Sequence, residues 1–227
     1  MPHQLRLFLR LAVGCWLFLL ASMAQAQPAV NSQQWAKAVA AFARQDSLTP
    51  PPLGGIVFTG SSTILAWRTL AADFPNRAVL NRGFGGSQTP DVSYFFEQLI
   101  VKYQPRQVVL YEGDNDLVYG QTPDQVYDAF RDFARRMRRE LPQAKLLFLA
   151  IKPSPSRWSA WPQMKETNRR IRRYCRWHRH QQYADVATPM LGPNGKPRPE
   201  LYRADSLHMT RPGYEMWTKI VEPYLVK

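Results

Sequence analysis

The sequence predicts an α/β chain, a three-layer α/β/α sandwich with a five-stranded parallel sheet, and three observations predict it. Five short runs rich in apolar and β-branched residues alternate with segments whose apolar residues recur at helical spacing. No internal repeat interrupts the alternation, which is the pattern of helices packed on a parallel sheet. Glycine-rich or polar clusters follow the runs, at strand ends where ligands collect in open α/β sheets. At 227 residues the chain is long enough for one well-buried domain and too short for two.

Residues 33–44 place Trp35, Val39 and Phe42 four and three apart, an amphipathic helix whose stripe must dock. Three prolines and two glycines in 49–55 make a stiff, then flexible, connection into the first strand. That strand reads Ile56-Val57-Phe58-Thr59-Gly60-Ser61-Ser62, an apolar run stopping at a glycine and two hydroxyls. Residues 63–70 carry Ile64, Leu65 and Trp67 at helix-like spacing, so Ser62 lies at a helix N-terminus, where unpaired N–H groups favour an anion. Either serine can also serve simply as the N-cap. A second strand at 78–81 leads into Gly83-Phe84-Gly85-Gly86-Ser87-Gln88-Thr89-Pro90, whose glycines let backbone approach a ligand. Nothing there has the full pattern of a dinucleotide site.

A helix at 91–102 buries Val92, Phe95, Phe96, Leu99 and Ile100. The third strand, 107–111, runs into Glu112-Gly113-Asp114-Asn115-Asp116, three acids around one asparagine without a calcium-loop pattern. Residues 123–141 form a long helix, with Val126, Phe130, Phe133, Ala134, Met137 and Leu141 inward and Arg131, Arg135, Arg138 and Arg139 outward. The fourth strand, 146–151, precedes Lys152-Pro153-Ser154-Pro155-Ser156-Arg157-Trp158, with Trp161 beyond. Its prolines hold that loop extended and out of helix, either as a rigid connection or as the lining of a pocket. Residues 163–182 make an arginine-rich helix and 183–186 a fifth strand. The loop carrying Asp205 and His208 precedes a closing helix with Met216, Trp217, Ile220 and Val221, capped by Thr210 and with Pro212 in its first turn.

Residues 1–26 have the layout of a secretory signal: Arg6 and Arg10, an apolar run at 11–21, and the small-x-small pattern of Ala24 and Ala26. The run is too short to span a membrane, so the expectation is cleavage after Ala26, a mature domain at 27–227, no transmembrane anchor, and a secreted or periplasmic destination. Cleavage removes two arginines and no acids, lowering the formal net charge from +13 to +11. It also leaves Cys175 as the only cysteine, so no disulfide can staple the chain. With export and no nucleic-acid motif, the charge does not read as a nucleic-acid footprint. The arginines at 169–179 suit contact with an anionic lipid or glycan surface.

A serine becomes a nucleophile when an imidazole takes its proton and a carboxylate holds the imidazole in the right tautomer. Asp205 and His208, three apart in one loop, can supply that pair to Ser62. A strand-end glycine N–H and an asparagine amide can supply the oxyanion donors. Gly60-Ser61-Ser62, Gly86, Gly113-Asp114-Asn115-Asp116 and Asp205-Ser206-Leu207-His208, in that order, resemble the four sequence blocks of the SGNH (GDSL-type) hydrolases. Gly83-Phe84-Gly85-Gly86 with Thr89 looks most like the platelet-activating-factor acetylhydrolase branch.

The resemblance implies a flavodoxin-like sandwich and a serine esterase working through an acyl-enzyme, with no cofactor and no metal. Ser62 is then the nucleophile, His208 the base oriented by Asp205, and Ser62 N–H, Gly86 N–H and the Asn115 amide the oxyanion hole. One position departs: the family has aspartate where this chain has Ser61, which bears on loop geometry and turnover. The alternative is a catalytically impaired protein of the same fold that binds acidic glycan or lipid. The substrate expected is a small-molecule, lipid or acetylated-glycan ester, with Tyr111, Lys152, Arg157, Trp158 and Trp161 near its leaving group.

Overall fold

The structure, a computed structural model, describes residues 31–227; residues 1–26, expected to be a secretory signal, lie outside them. After a 3-10 turn at Ser32–Trp35, the chain forms α1 (Ala36–Leu48), β1 (Ile56–Gly60), α2 (Ser62–Leu65), α3 (Leu70–Asp73) and β2 (Val79–Gly83). Then come α4 (Thr89–Tyr94), α5 (Phe96–Leu99), β3 (Gln107–Tyr111), α6 (Asp114–Val118) and α7 (Pro123–Glu140). β4 (Lys145–Leu149), α8 (Trp161–Trp177), β5 (Gln181–Ala184) and α9 (Arg211–Val221) complete it. The sheet is wholly parallel, in the order β2-β1-β3-β4-β5.

β1 and β3 are buried along their whole length, as central parallel strands covered on both faces must be. On one face Trp67 packs against Phe58, Phe74, Tyr214 and Trp217, joining the segment after β1 to α9, and Trp217 also meets Tyr111. On the other, Phe96 meets Phe133, and Phe130 meets Phe148 and Tyr174, tying α5, α7, β4 and α8 together. The exposed edge of β2 is covered by α1: Arg82 is buried beneath Phe42 and Tyr103 and ion-paired with Asp46. A covered, charged edge strand cannot recruit a further strand.

The local departures from expectation have packing or hydrogen-bond causes. The helix expected at 63–70 stops at Leu65, where Asn81 Nδ2 donates to the Ile64 carbonyl (2.6 Å) and takes an acceptor that another turn would need. The helix expected at 91–102 breaks at Phe95, so that Phe95 packs on Phe84 while its neighbour Phe96 packs on Phe133. The arginine helix ends at Trp177 and His180 turns left-handed (φ 66°) into β5, which therefore starts two residues early. Residues 155–160, expected extended, form a 3-10 turn with Pro155 in its first position, where the missing N–H is harmless. Thr210 does not cap α9; its hydroxyl donates to the Glu200 carbonyl (2.8 Å).

Trp67 joins the most partners in the aromatic layer and donates through Nε1 to Asp73 (2.7 Å). Trp67→Ala is expected to lower stability by about 3–5 kcal/mol, read as a shift of the urea midpoint at unchanged slope.

Candidate active site

β1 ends in step with its neighbours: Gly60 pairs with Gly83 of β2 and Tyr111 of β3. Gly60 is left-handed (φ 131°), and a Cβ there would come within 2.0 Å of the Tyr111 carbonyl oxygen, so only glycine permits this exit. Ser61 N–H donates to that carbonyl (3.2 Å), and Ser62 becomes the first residue of α2, where its own N–H has no intrahelical acceptor. Ser61 is fully buried and its hydroxyl meets no partner among the described residues, whereas Ser62 is partly exposed.

His208 Nε2 lies 2.9 Å from Ser62 Oγ, across 146 positions of sequence. Its Nδ1 lies 2.7 Å from Asp205 Oδ2. A carboxylate only accepts, so Nδ1 carries the proton and Nε2 presents its lone pair to the Ser62 hydroxyl. Asp205 Oδ1 also accepts from the N–H groups of Leu207 and His208 (2.9 Å each). The His208 ring, and then these N–H donors, hold the Asp205 carboxyl down at about 2. It is ionised throughout the neutral range.

The loop after β2 brings Gly86 alongside, left-handed (φ 78°) and so close under Trp35 that a Cβ would lie 3.0 Å from the indole ring. Asn115, the second residue of α6, donates from Nδ2 to the Ser87 carbonyl (2.8 Å), and its Oδ1 accepts from Arg157 Nη2 (2.8 Å). The structure brings His208 and Asp205 to Ser62, and separately ties Asn115 to Ser87, the neighbour of Gly86, and to Arg157. Two residues expected at the leaving group are placed otherwise. Tyr111 and Lys152 are buried (0% and 1% exposed) beneath the site, because each is drawn to the buried Asp114 carboxylate, at 3.3 and 3.5 Å. Neither offers surface to a substrate. Trp161 is also buried, and it stacks under the half-buried Trp158, whose other neighbour is Lys196 (4.6 Å from the ring centroid).

The acids around Asn115 have separate structural tasks that the sequence did not assign. Asp116 accepts from Thr89 N–H (2.9 Å) and Gly113 N–H (3.1 Å), cross-linking the loops after β2 and β3. Burial pushes its carboxyl up to about 6. Glu112, fully buried, lies 2.6 Å from Ser87 Oγ, which is also 3.0 Å from the Phe84 carbonyl. A hydroxyl has one proton to give. A protonated Glu112 donating to Ser87, which donates to Phe84, leaves both contacts made. Burial first, and then the Asp116 charge, push Glu112 well above the usual carboxylate range, which fits that arrangement. Among the described residues no group of three or more histidine, cysteine or carboxylate side chains is arranged to hold a metal ion.

A family model described as GDSL-like lipase/acylhydrolase matches residues 45–216. The chain belongs to that family. This GDSL-like protein is an ester hydrolase. Solved structures share the fold. A protein from Streptococcus pneumonia named for platelet activating factor is 17% identical (TM-score 0.75; 86% of this chain and 94% of that one covered). A GDSL-like lipase from Bacteroides thetaiotaomicron is 21% identical (TM-score 0.70; 86% and 96%). An acetylxylan esterase from Geobacillus stearothermophilus is 14% identical (TM-score 0.60; 76% and 94%). No curated protein matches the sequence. Among the described residues no helix is long and apolar enough to cross a membrane.

A protonated Glu112 has a measurable consequence. Above about pH 4.5, its ordinary value, the unfolded chain has released a proton that the native state keeps, so stability falls as pH rises toward the raised native value. Glu112→Gln is expected to flatten that decline above about pH 4.5. Parallel pH slopes for the two proteins in urea unfolding would exclude a protonated Glu112.

Proposed function

We propose that this GDSL-family protein is an exported serine esterase that cleaves carboxylic esters through an acyl-enzyme on Ser62. The observation that carries the reading is the chain of contacts from Asp205 through His208 to the Ser62 hydroxyl, at 2.7 and 2.9 Å. His208 Nε2 takes the hydroxyl proton as Ser62 Oγ attacks the ester carbonyl. The negative charge that develops on the carbonyl oxygen is met by Ser62 N–H, Gly86 N–H and the Asn115 amide. His208 passes its proton to the leaving alcohol, and a water then repeats the sequence to free the acid. Ser61, buried and without a hydrogen bond to the imidazole, takes no part.

The leaving group would meet the half-buried Trp158 ring, which has Trp161 stacked beneath it and Lys196 4.6 Å from its centroid. An aromatic face with a cation beside it suits a polar, ring-containing alcohol such as a sugar. The acetylxylan esterase among the structural relatives acts on such a polymer. A fluorophosphonate is expected to label Ser62 and to fail on Ser62→Ala, while Ser61→Ala labels as the native chain does. Ser62→Ala and His208→Ala are each expected to lower kcat on p-nitrophenyl acetate by about 10³–10⁶. Native turnover by folded Ser62→Ala defeats the proposal.

Export through residues 1–26 would bring the chain to an anionic envelope, and α8 is suited to meet it. Arg172, Arg173 and Arg176 are exposed on one stripe and meet no carboxylate among the described residues, with Trp177 exposed at the end. Vesicles containing phosphatidylglycerol are expected to bind the protein and release it as salt rises. Replacing the three arginines by glutamate should abolish binding without changing kcat. Salt-independent binding would rule this contact out.

A further inference from the structure

An asparagine amide has two ends of nearly the same shape and opposite polarity, and only one of them can stabilise an oxyanion. Asn115 must therefore be held with Nδ2, and not Oδ1, available to the reacting carbonyl. Two neighbours decide this. The Ser87 carbonyl can only accept, so the atom 2.8 Å from it is Nδ2. The Arg157 guanidinium can only donate, so the atom 2.8 Å from Nη2 is Oδ1. A flipped amide would set NH₂ against guanidinium and oxygen against oxygen, losing both bonds and adding two repulsions. One proton of Nδ2 goes to Ser87, leaving the second for another acceptor.

Arg157 is itself held. Its Nη1 lies 3.2 Å from Asp114 Oδ2, and that carboxylate's other oxygen accepts from the backbone N–H of Asn115 (2.9 Å). Asp114 thus fixes the backbone of Asn115 directly and its side chain through Arg157. Lys152 Nζ, 3.5 Å from the same Oδ2, sets a second cation against that one carboxylate. Asp114, Asn115 and Lys152 are each at most 3% exposed and the Arg157 side chain 14%, so water does not screen the guanidinium from the amide. A cation on Oδ1 draws electron density through the amide and makes its N–H groups stronger donors.

We propose that Arg157 is a positioning residue of the esterase reaction, acting through Asn115 by locking the amide orientation and polarising its N–H. The inference rests on the reading of Asn115 as an oxyanion donor. It differs from a role for Arg157 in holding the substrate, since the help is given when charge develops on the carbonyl oxygen and not when the ester binds.

A double-mutant cycle separates these roles. Four proteins are compared on p-nitrophenyl acetate: the native chain, Arg157→Met, Asn115→Ala and the double variant, each checked for native circular dichroism. Arg157→Met is expected to lower kcat about tenfold or more with KM within about twofold, and Asn115→Ala to lower kcat by about 10²–10³. In the Asn115→Ala background the arginine change should cost less than about threefold, since its target is gone. Equal losses in both backgrounds, or a loss carried mainly by KM, overturn the proposal. If Arg157→Met fails to fold, Arg157→Lys, which keeps a charge for Asp114 but not the planar fork, is read by the same criteria. Failure of the underlying reading looks different: Asn115→Ala would turn over at the native rate.

Discussion

Three parallel strands that end in step are the constraint on which everything at this site depends. Because Gly60 is paired on one side with Gly83 and on the other with Tyr111, the loops after β2, β1 and β3 leave the sheet at the same height. The chain order reverses at β1, so the connections on its two sides diverge and open a crevice there. Ser62 stands in that crevice because a left-handed glycine turns the chain within one residue and hands it to a helix. Shifting either neighbour by one residue would move Gly86 or Asn115 about 3.3 Å along the strand direction, more than a hydrogen bond tolerates.

The crevice is supported by buried polar groups where a stability-optimised core would be apolar. Glu112, Asp114, Asp116, Ser87 and Lys152 lie under the loops, each 3% exposed or less. Buried charges are weak stabilisers, since desolvation offsets much of what pairing returns. Where they bridge two loops, their value is geometric: they fix groups of one loop against the other. Asp116 ties Thr89 to Gly113, and Glu112 meets the Ser87 hydroxyl, while the Ser87 carbonyl faces Asn115. An apolar residue in any of these places could fill the volume but could not set the distance between two loops.

The fold and the main contacts of the site were legible in the sequence for a simple reason. Apolar runs that must be buried on both sides, glycines at their ends, and an aspartate three residues before a histidine are local patterns, and local patterns survive in one dimension. What depends on partners distant in sequence was not legible. Tyr111 and Lys152 look like site residues because they flank strand ends, and only the packing shows both turned inward toward Asp114. The three acids around Asn115 read as an excess of charge, since the groups that meet them, Ser87 at Glu112, Thr89 at Asp116 and Arg157 at Asp114, come from other loops. Helix ends were misjudged where a single side chain intervened, as Asn81 does at Leu65. Trp35 read only as part of an amphipathic stripe, and its place over Gly86 could not be guessed from spacing.

The segment after β4 is the element that turns separate loops into one site. The loop carrying Asp205 and His208 is only partly buried, with Ser206 left-handed (φ 56°), so burial alone does not hold it. It is held by backbone atoms: Ser156 donates from both its N–H (3.1 Å) and its hydroxyl (3.0 Å) to the Ser206 carbonyl, and Tyr202 OH donates to the Pro153 carbonyl. One residue further on, Arg157 reaches Asn115. The 3-10 turn beginning at Pro155 therefore links the loop that carries the imidazole to the Asn115 amide. The stiffness that prolines lend this short turn fixes the separation of two groups that no strand connects directly. A motion that opened it would act on the His208 loop through Ser206 and on Asn115 through Arg157, so one short turn, and not two independent loops, holds the imidazole and the amide.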